Sequence, residues 1–337
     1  MILTRPKMSY QQEKTKTFEI GSNIKKLGKL IMCIAVALPL AVPAEENRLA
    51  GIFPEWIKTV ALVAPASPGT SREKVDAAIS LLKKAGVKVK VMPNAREGEP
   101  AGYTSIPAEK RVADLERAWL DPEVDLILCI RGGVGTIDIV EKLDWAKLRT
   151  RPDLPVLGFS DITVLHMAML KERAGHPYAS ASLLALPDVD EASLKSIQAV
   201  LHGRAPEPVV LTPLREGEAS GVALAGHLRL LETVSRTRFR PETRGKVIFI
   251  ESPDLAPVEA EKALTLLRRS GFFDSCAAVV FGRLSGCGER EEAVMRDFAE
   301  EVKCPVYMGF PYSHTSRNQM IDLFGKVMID AAGRLRR

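Results

Sequence analysis

The chain has 337 residues, of which 46% are hydrophobic and 26% are charged, proportions typical of a globular protein with a sizeable core. Its net charge of +5 comes from 47 basic and 42 acidic side chains, but seven of the basic and two of the acidic ones precede residue 45. The rest of the chain is balanced at 40 of each, which excludes a basic footprint for nucleic acid. At this length two domains are expected.

The first 44 residues are predicted to be a signal peptide or leader outside the fold. Lysines at 25, 26 and 29 precede an apolar run over 30–42, and Val42-Pro43-Ala44 is typical of a small-residue cleavage site. The run is too short to cross a bilayer comfortably. We therefore expect export, to the periplasm, and a mature form without a stable membrane span; an uncleaved amino-terminal membrane anchor is the alternative.

Short apolar strands alternate with helices along residues 45–204. Strands are predicted within 59–68, at 87–92, at 125–130 and from residue 155, and helices at 72–85, 108–120, 136–143 and after residue 160. Strand and helix at this spacing are typical of a parallel-sheet α/β domain. The sequence therefore predicts an amino-terminal α/β domain over residues 45–204.

The amino-acid composition changes at residues 205–220, which are rich in Pro, Glu and Gly and are predicted to be a linker. Beyond it, residues 221–337 are predicted to form a second, carboxy-terminal α/β domain. Its strands are expected at 246–250, 277–281 and 305–310, with helices at 257–270 and 289–302. The fold class is accordingly α/β with two domains.

Ser160 lies in the sharp turn between the strand that starts at Pro155 and the following helix. Backbone N–H groups and the positive end of a helix dipole meet at such a turn, which suits a nucleophilic serine whose reaction creates negative charge. The alternative is helix capping, in which the hydroxyl only accepts a backbone hydrogen bond.

A serine nucleophile needs a base and an acid that orients the base. Of the five histidines, only His314 is expected on a loop directly after a parallel-type strand, where open α/β sheets present their chemistry. The others are expected to pack in helices or apolar stretches or to lie at helix-end glycines: His166, His176, His202 and His227. Glu251, at the end of the strand over 246–250, is the corresponding acid; an exposed strand-end carboxylate is the alternative interpretation.

The glycine-rich segment Arg131–Gly135 follows a predicted buried strand and leaves three interpretations open. It could cradle a phosphate, although it lacks both the dinucleotide and the P-loop fingerprints. It could instead bring backbone N–H groups to a reacting carbonyl as an oxyanion hole. It could also be a plain tight turn.

Four cysteines follow the predicted leader: Cys129, Cys276, Cys287 and Cys304. They form no CxxC pair and are expected to be mostly buried free thiols, with one disulfide left open for an oxidising compartment. No spaced Cys/His cluster predicts a metal site.

Four segments, taken together and in order, resemble the LD-carboxypeptidase family of serine peptidases. Arg131–Gly135 with Leu143-Asp144-Trp145 is similar to the family's RGGYG…DW segment, and Gly158–Thr163 is similar to its GYSDIT nucleophile turn. Ile248–Glu251 and Gly309–His314 resemble the segments that bear its acid and its base. The resemblance covers most of the chain beyond the leader.

This resemblance implies a catalytic triad of Ser160, Glu251 and His314, with the backbone N–H groups of Gly133 and Asp161 as the oxyanion hole. It implies a peptide substrate, no metal and no organic cofactor, and a homodimer of the kind often found in the family. The serine would come from the amino-terminal domain and the acid and base from the carboxy-terminal domain. The triad would therefore form only where the two domains meet.

The chain departs from the family pattern at three places. Val134 replaces the usual tyrosine, Ala225–Leu228 stands where a Gly-Gly-Asn-Leu run is common, and the Gly-Pro that commonly follows the nucleophile helix is absent. These changes leave the triad but are expected to alter the shape and polar contacts of the pocket.

Three functions follow from the sequence. The first is hydrolysis of the bond to a terminal D-amino acid, D-Ala of murein tetrapeptides, which an exported protein would meet in the cell wall. The second is cleavage of a microcin C-like peptide–nucleotide antibiotic. The third is a catalytically silent protein that binds wall peptides.

Overall fold

The computed structural model describes residues 47–69, 71–95 and 106–337. The predicted leader, residues 1–44, lies outside them. In this part of the chain, no helix has both the length and the apolar character needed to cross a membrane. Residues 47–337 form one compact unit by their internal contacts.

The first sheet carries the nucleophile turn. Within the described residues it has six strands in the order β12-β5-β4-β3-β1-β2, all parallel except the antiparallel edge strand β12. Because its core strands are covered on both faces, they are continuous apolar runs rather than alternating ones. The strands are β1 (Thr59–Val63), β2 (Lys88–Val91), β3 (Leu126–Cys129), β4 (Pro155–Gly158), β5 (His176–Ala179) and β12 (Ile321–Asp322).

The second sheet carries Glu251. Its described strands run in the order β6-β14-β13-β8-β9-β10-β11-β7, with β8 to β11 parallel to one another and the outer strands antiparallel. The strands are β6 (Val209–Val210), β7 (Thr212–Arg215), β8 (Ala219–His227), β9 (Lys246–Ser252), β10 (Ala278–Leu284), β11 (Val306–Met308), β13 (Lys326–Ile329) and β14 (Arg334–Arg336).

The helices pack apolar residues against the sheets, and three of the described ones begin at a side-chain cap. The Ser71 hydroxyl accepts from the Lys74 N–H at the start of the first helix, and the Asp190 carboxylate accepts from the Ser193 N–H at the start of the sixth. The described helices are α1 (Arg72–Lys84), α2 (Ala108–Leu120), α3 (Thr136–Val140), α4 (Trp145–Leu148), α5 (Thr163–Glu172), α6 (Glu191–Leu201), α7 (Leu228–Val234), α8 (Pro257–Arg269) and α9 (Glu291–Glu301).

The α/β fold class is confirmed, and the amino-terminal sheet is parallel except for its edge strand β12. The predicted strand–helix alternation is found from β1 to α5 and from β9 to β11. The sequence did not predict α6, β5 or the short strands after residue 320. Residues 205–220, predicted as a linker, contain β6 and β7, which pair within the second sheet; the domain boundaries themselves stay a prediction.

The two sheets are joined by contacts beside the nucleophile helix. β12, which belongs to the carboxy-terminal part of the chain, pairs with β5 of the first sheet. At the end of β8, the His227 N–H donates to the Thr163 hydroxyl at the start of α5, at 3.1 Å. A Cβ on Gly226 would lie 2.5 Å from the Thr163 methyl group, so this junction requires glycine for its close approach.

Candidate active site

Ser160 occupies a strained turn directly after β4. Its φ is +64°, a left-handed conformation that L residues rarely adopt and that often marks a functional site. A Cβ on Gly158 would lie 2.5 Å from Ile162, so glycine allows the chain to turn this sharply. Neither the short 3-10 turn at Ser160 nor α5 begins with a side-chain capping bond, and the capping interpretation of Ser160 is therefore wrong.

The glycine loop after β3 lies against this turn. A Cβ on Gly132 would lie 2.6 Å from the Ser160 Cβ and 3.0 Å from its Oγ, so the loop backbone runs alongside the serine side chain. Gly133 has a φ of +123°, and a Cβ there would lie 2.2 Å from the Ser67 hydroxyl. A side chain at Gly132 would displace the loop from the turn, and one at Gly133 would displace it from Ser67.

The Asp161 carboxylate fixes the loop to the turn. It accepts hydrogen bonds from the Thr136 N–H at 2.8 Å and from the Thr136 hydroxyl at 2.6 Å, at the start of α3. Burial raises the pKa of Asp161, and the two bonds from Thr136 oppose that shift. The Gly133 and Asp161 backbone N–H groups take part in none of the turn or loop hydrogen bonds of the described residues.

Glu251 lies in β9 and His314 lies in the loop that follows β11, both in the second half of the chain. Glu251 lies near the carboxyl end of β9 and is fully buried, so the exposed-carboxylate interpretation is wrong. Its Oε2 lies 2.8 Å from the His314 Nδ1, and its Oε1 has no partner in the part of the chain that the structure describes. Burial raises the pKa of Glu251, while the hydrogen bond to His314 lowers it.

The His314 ring lies next to the nucleophile turn. Its centroid is 4.5 Å from that of Phe159, the residue immediately before Ser160. Ser160 and His314 line the same cavity of about 570 Å³, at the edge where strands of both sheets end. The structure thus places the serine and the imidazole on one cavity, with the carboxylate bonded to the imidazole.

The cavity combines apolar walls with a few polar and charged groups. Two basic side chains, Lys74 and Arg131, and one acidic side chain, Asp188, line it together with Ser182 and Asn318. Asn318 is 2% exposed and its Oδ1 has no partner among the described residues. Nothing in the sequence around Asn318 indicated that it would form part of a cavity wall.

His227 belongs to a segment that departs from the family pattern and is expected to alter the pocket, but the sequence did not predict its contact with His314. The sequence favours a core position, but His227 ends β8 opposite Glu251 in the strand register, and its ring meets the His314 ring edge-on at 5.9 Å. Its Nδ1 is buried without a described partner, and burial lowers its pKa to about 4. At neutral pH it is therefore an uncharged imidazole beside His314.

The remaining histidines lie away from this cavity. His166 is buried within α5, as predicted, and burial lowers its pKa to about 3. His176 lies in β5 and pairs with Asp322 of β12 at 2.6 Å, and His202 interacts with the Gly51 carbonyl at 3.1 Å.

Comparison with known proteins identifies the family of this chain. The LD-carboxypeptidase N-terminal domain matches residues 60–178, and the LD-carboxypeptidase C-terminal domain matches residues 220–329. The chain therefore belongs to the LD-carboxypeptidase family, and it is a serine-type carboxypeptidase.

Three relatives illustrate the similarity. A probable murein peptide carboxypeptidase of Bacillus subtilis (strain 168) is 31% identical over 289 residues, 81% of this chain and 89% of that protein. A murein tetrapeptide carboxypeptidase of Pseudomonas aeruginosa is 28% identical, over 82% of this chain and 94% of its own. The crystal structure of an MccF-like protein from Bacillus anthracis shares the fold, with a TM-score of 0.74 at 19% identity over 84% of this chain and 97% of that one.

Proposed function

We propose that this enzyme releases the terminal D-amino acid, D-Ala, from murein tetrapeptides, by a triad of Ser160, His314 and Glu251. The preceding residue in such a stem is an L-centre, so the cleaved bond joins an L- to a D-residue. The names of the two curated relatives support a murein peptide as substrate. Export to the compartment that holds the cell wall is part of the same proposal.

The proposed reaction is acyl transfer in two steps. His314 takes the Ser160 hydroxyl proton as the oxygen attacks the scissile carbonyl, and Glu251 orients the imidazole and stabilises its charged form. His314 then gives the proton to the leaving D-Ala amine, and the shortened peptide stays on Ser160 as an ester. Water, deprotonated by His314, hydrolyses the ester and restores the serine.

The developing oxyanion would lie between the Gly133 and Asp161 backbone N–H groups. This assignment is supported by the close approach of the glycine loop to Ser160 and by the Thr136–Asp161 bonds that hold the loop there. Fixed donors at this point stabilise the transition state more than the substrate, because charge forms on the oxygen only during attack.

A carboxypeptidase must also bind the free carboxylate of its substrate. Lys74 and Arg131 line the cavity and can neutralise that charge, and Arg131 directly precedes the loop that approaches Ser160. A charge-assisted hydrogen bond from either group favours a peptide with a free carboxyl terminus over an extended chain.

The single observation that carries the proposal is the buried carboxylate–imidazole pair. A fully buried Glu251 is bonded to His314 at 2.8 Å, and that ring lies beside the residue that precedes Ser160. This supports the proposed triad, because a serine nucleophile needs a base that a buried acid orients. A peptide–nucleotide conjugate is the second candidate substrate, for which a cavity of about 570 Å³ has room. Because the family is one of carboxypeptidases, the silent wall-peptide binding protein is the least supported of the three hypotheses.

The test is product analysis on a muropeptide mixture by liquid chromatography and mass spectrometry. The wild-type enzyme should convert tetrapeptides to tripeptides with release of D-Ala, and Ser160→Ala should lower this rate by about 10³-fold or more. Ser196→Ala is the matched control, since Ser196 is buried on α6, its hydroxyl has no described partner, and it does not line the cavity. Intact tetrapeptide with the wild-type enzyme, or cleavage of a peptide–nucleotide conjugate alone, would contradict the proposed substrate.

A further inference from the structure

Cys276 and Cys304 lie side by side at the end of the second sheet away from the cavity. Cys276 precedes β10 and Cys304 precedes β11, two neighbouring parallel strands that pair Val279 with Val306. Their Sγ atoms are 3.4 Å apart. The strand pairing therefore holds two thiols in contact that are 28 residues apart in the chain.

The two thiols differ in access and in acidity. Cys304 is partly exposed and Cys276 is buried, so a reagent in solution meets Cys304 first. The Cys276 thiol donates to the Cys304 sulfur, and this bond lowers the pKa of Cys304, with Arg215 contributing in the same direction. Cys304 is consequently the group that reacts as a thiolate, with Cys276 placed to attack second.

The other described cysteines have no such arrangement. Cys129 is fully buried inside β3, where burial raises the pKa of its thiol. Cys287 is buried and directs its thiol at the Leu255 carbonyl, 3.5 Å away. Within the described residues, the 276–304 pair is therefore the pair that can be joined without rearranging the fold.

We propose that Cys276 and Cys304 form a reversible disulfide that fastens the amino-terminal ends of β10 and β11 in an oxidising environment. The bond requires the sulfur atoms to approach to about 2.05 Å, a movement of roughly 1.4 Å that rotation about the two Cα–Cβ bonds can supply.

The oxidant is a disulfide, either a small molecule such as oxidised glutathione or a thiol–disulfide oxidase. The Cys304 thiolate attacks one of its sulfur atoms and expels the other as a thiolate, forming a mixed disulfide. Cys276 loses its proton and attacks the Cys304 sulfur, which expels the second thiolate. Two protein thiols are oxidised and one external disulfide is reduced to two thiols.

The disulfide should stabilise the enzyme without changing its catalysis. It would close a loop of 28 residues and so restrict the unfolded chain. Glu251 and His314 lie at the opposite, carboxyl ends of the strands, and neither cysteine lines the cavity. Oxidation therefore acts on the stability of the second sheet and leaves the site unaltered.

The experiment compares the full chain after treatment with oxidised glutathione and after reduction with a phosphine. Peptide mapping of the oxidised protein should find the Cys276 peptide joined to the Cys304 peptide, with a loss of two hydrogens. The melting temperature should rise by roughly 5 °C relative to the reduced protein, and carboxypeptidase activity should change less than about twofold.

Two variants make the assignment specific. Cys287→Ser should keep both the crosslink and the rise in melting temperature, whereas Cys304→Ser should lose both. The proposal is overturned if both thiols of the oxidised wild-type protein are still alkylated, if the crosslink joins other cysteines, or if the melting temperature does not rise with the crosslink. The mapping uses only the wild-type protein, so a poorly folded variant does not affect its result.

Discussion

Ser160 stores backbone strain at the point where the reaction is proposed to begin. Its φ of +64° costs an L residue about 1–2 kcal/mol, and the Gly132 and Gly158 contacts keep it in that conformation. In this conformation Ser160 lines the cavity. A serine that only capped a helix would not need this strained backbone conformation.

This strain predicts opposite effects of glycine at two serines. The free energy of unfolding of Ser160→Gly should exceed that of Ser160→Ala by about 1 kcal/mol, because only glycine accepts the left-handed conformation without cost. At Ser196 in α6 the order should reverse, with glycine about 1 kcal/mol less stable than alanine. Urea denaturation of the four variants measures both differences; the same order at both sites would contradict a strained Ser160.

His166 should make the stability of the protein depend on pH. Burial lowers its pKa to about 3, while the unfolded chain binds a proton near pH 6.5. Between these values the unfolded state holds a proton that the folded state lacks, so the free energy of unfolding falls as pH drops through this window. The slope from this one group is at most about 1.4 kcal/mol per pH unit.

His166→Gln removes the titrating group and should flatten that slope. The difference in unfolding free energy between wild type and variant should be constant above pH 7, where His166 is neutral in both states, and should shift in the variant's favour between pH 6 and pH 4. Denaturant titrations at several pH values measure it. A difference that stays constant down to pH 4 would show that His166 is not held neutral.

At the scale of elements, the site depends on how α3 and its glycine loop are joined to the nucleophile turn. Thr136 gives both its N–H and its hydroxyl to the buried Asp161 carboxylate. Thr136→Val keeps the shape but removes one donor to a buried charge, which should cost about 1–3 kcal/mol of stability. It should also lower the rate of D-Ala release, because the loop that carries Gly133 is less firmly held to Ser160.

Thr136→Ser is the matched control for this prediction. It keeps the hydroxyl and should retain most of the stability and activity of the wild type. Thermal unfolding and steady-state kinetics of the two variants are the measurements. Equal behaviour of the valine and serine variants would mean that the hydroxyl does not position the loop.

The sequence analysis predicted most elements whose signals are local, although it missed α6, and it missed the short strands that depend on distant partners. The apolar runs at β1, β3, β4 and β9 and the helices between them follow from patterns within a few residues. By contrast, Ile321–Asp322 is a strand only because β5 is beside it, and two residues carry no periodicity. The same applies to Val209–Val210, which pairs with Arg334 and Leu335 at the far end of the chain.

The residues of the candidate site also differ in whether they could be predicted from the sequence. Ser160, Glu251 and His314 stand in segments that resemble a family pattern, and each follows or ends a predicted strand, so their positions could be predicted. Asn318 and the His227 ring could not, because their places on the cavity wall and beside His314 depend on how the two sheets meet. The departure from the family pattern at Ala225–Leu228 indicated a changed pocket but not the contact of His227 with His314, and nothing in the sequence around Asn318 indicated its place.

At the scale of the whole molecule, the proposed triad is divided between the two halves of the chain. Ser160 belongs to the first sheet and Glu251 to the second, and the junction of β8 with α5 and the pairing of β12 with β5 hold them together. The proposed catalysis is thus a property of the assembled halves. The homodimer implied by the family resemblance stays a prediction, which analytical ultracentrifugation can test.

The turnover rate of D-Ala release in a double-mutant cycle tests most directly whether these distant residues act as one unit. If Ser160 is the nucleophile and His314 its base, Ser160→Ala, His314→Ala and the double variant should all fall to the same residual rate, because removing either partner disables the other. The proposed triad is contradicted if the rate losses of the two single variants multiply in the double variant. It is also contradicted if either single variant keeps a rate near that of the wild type.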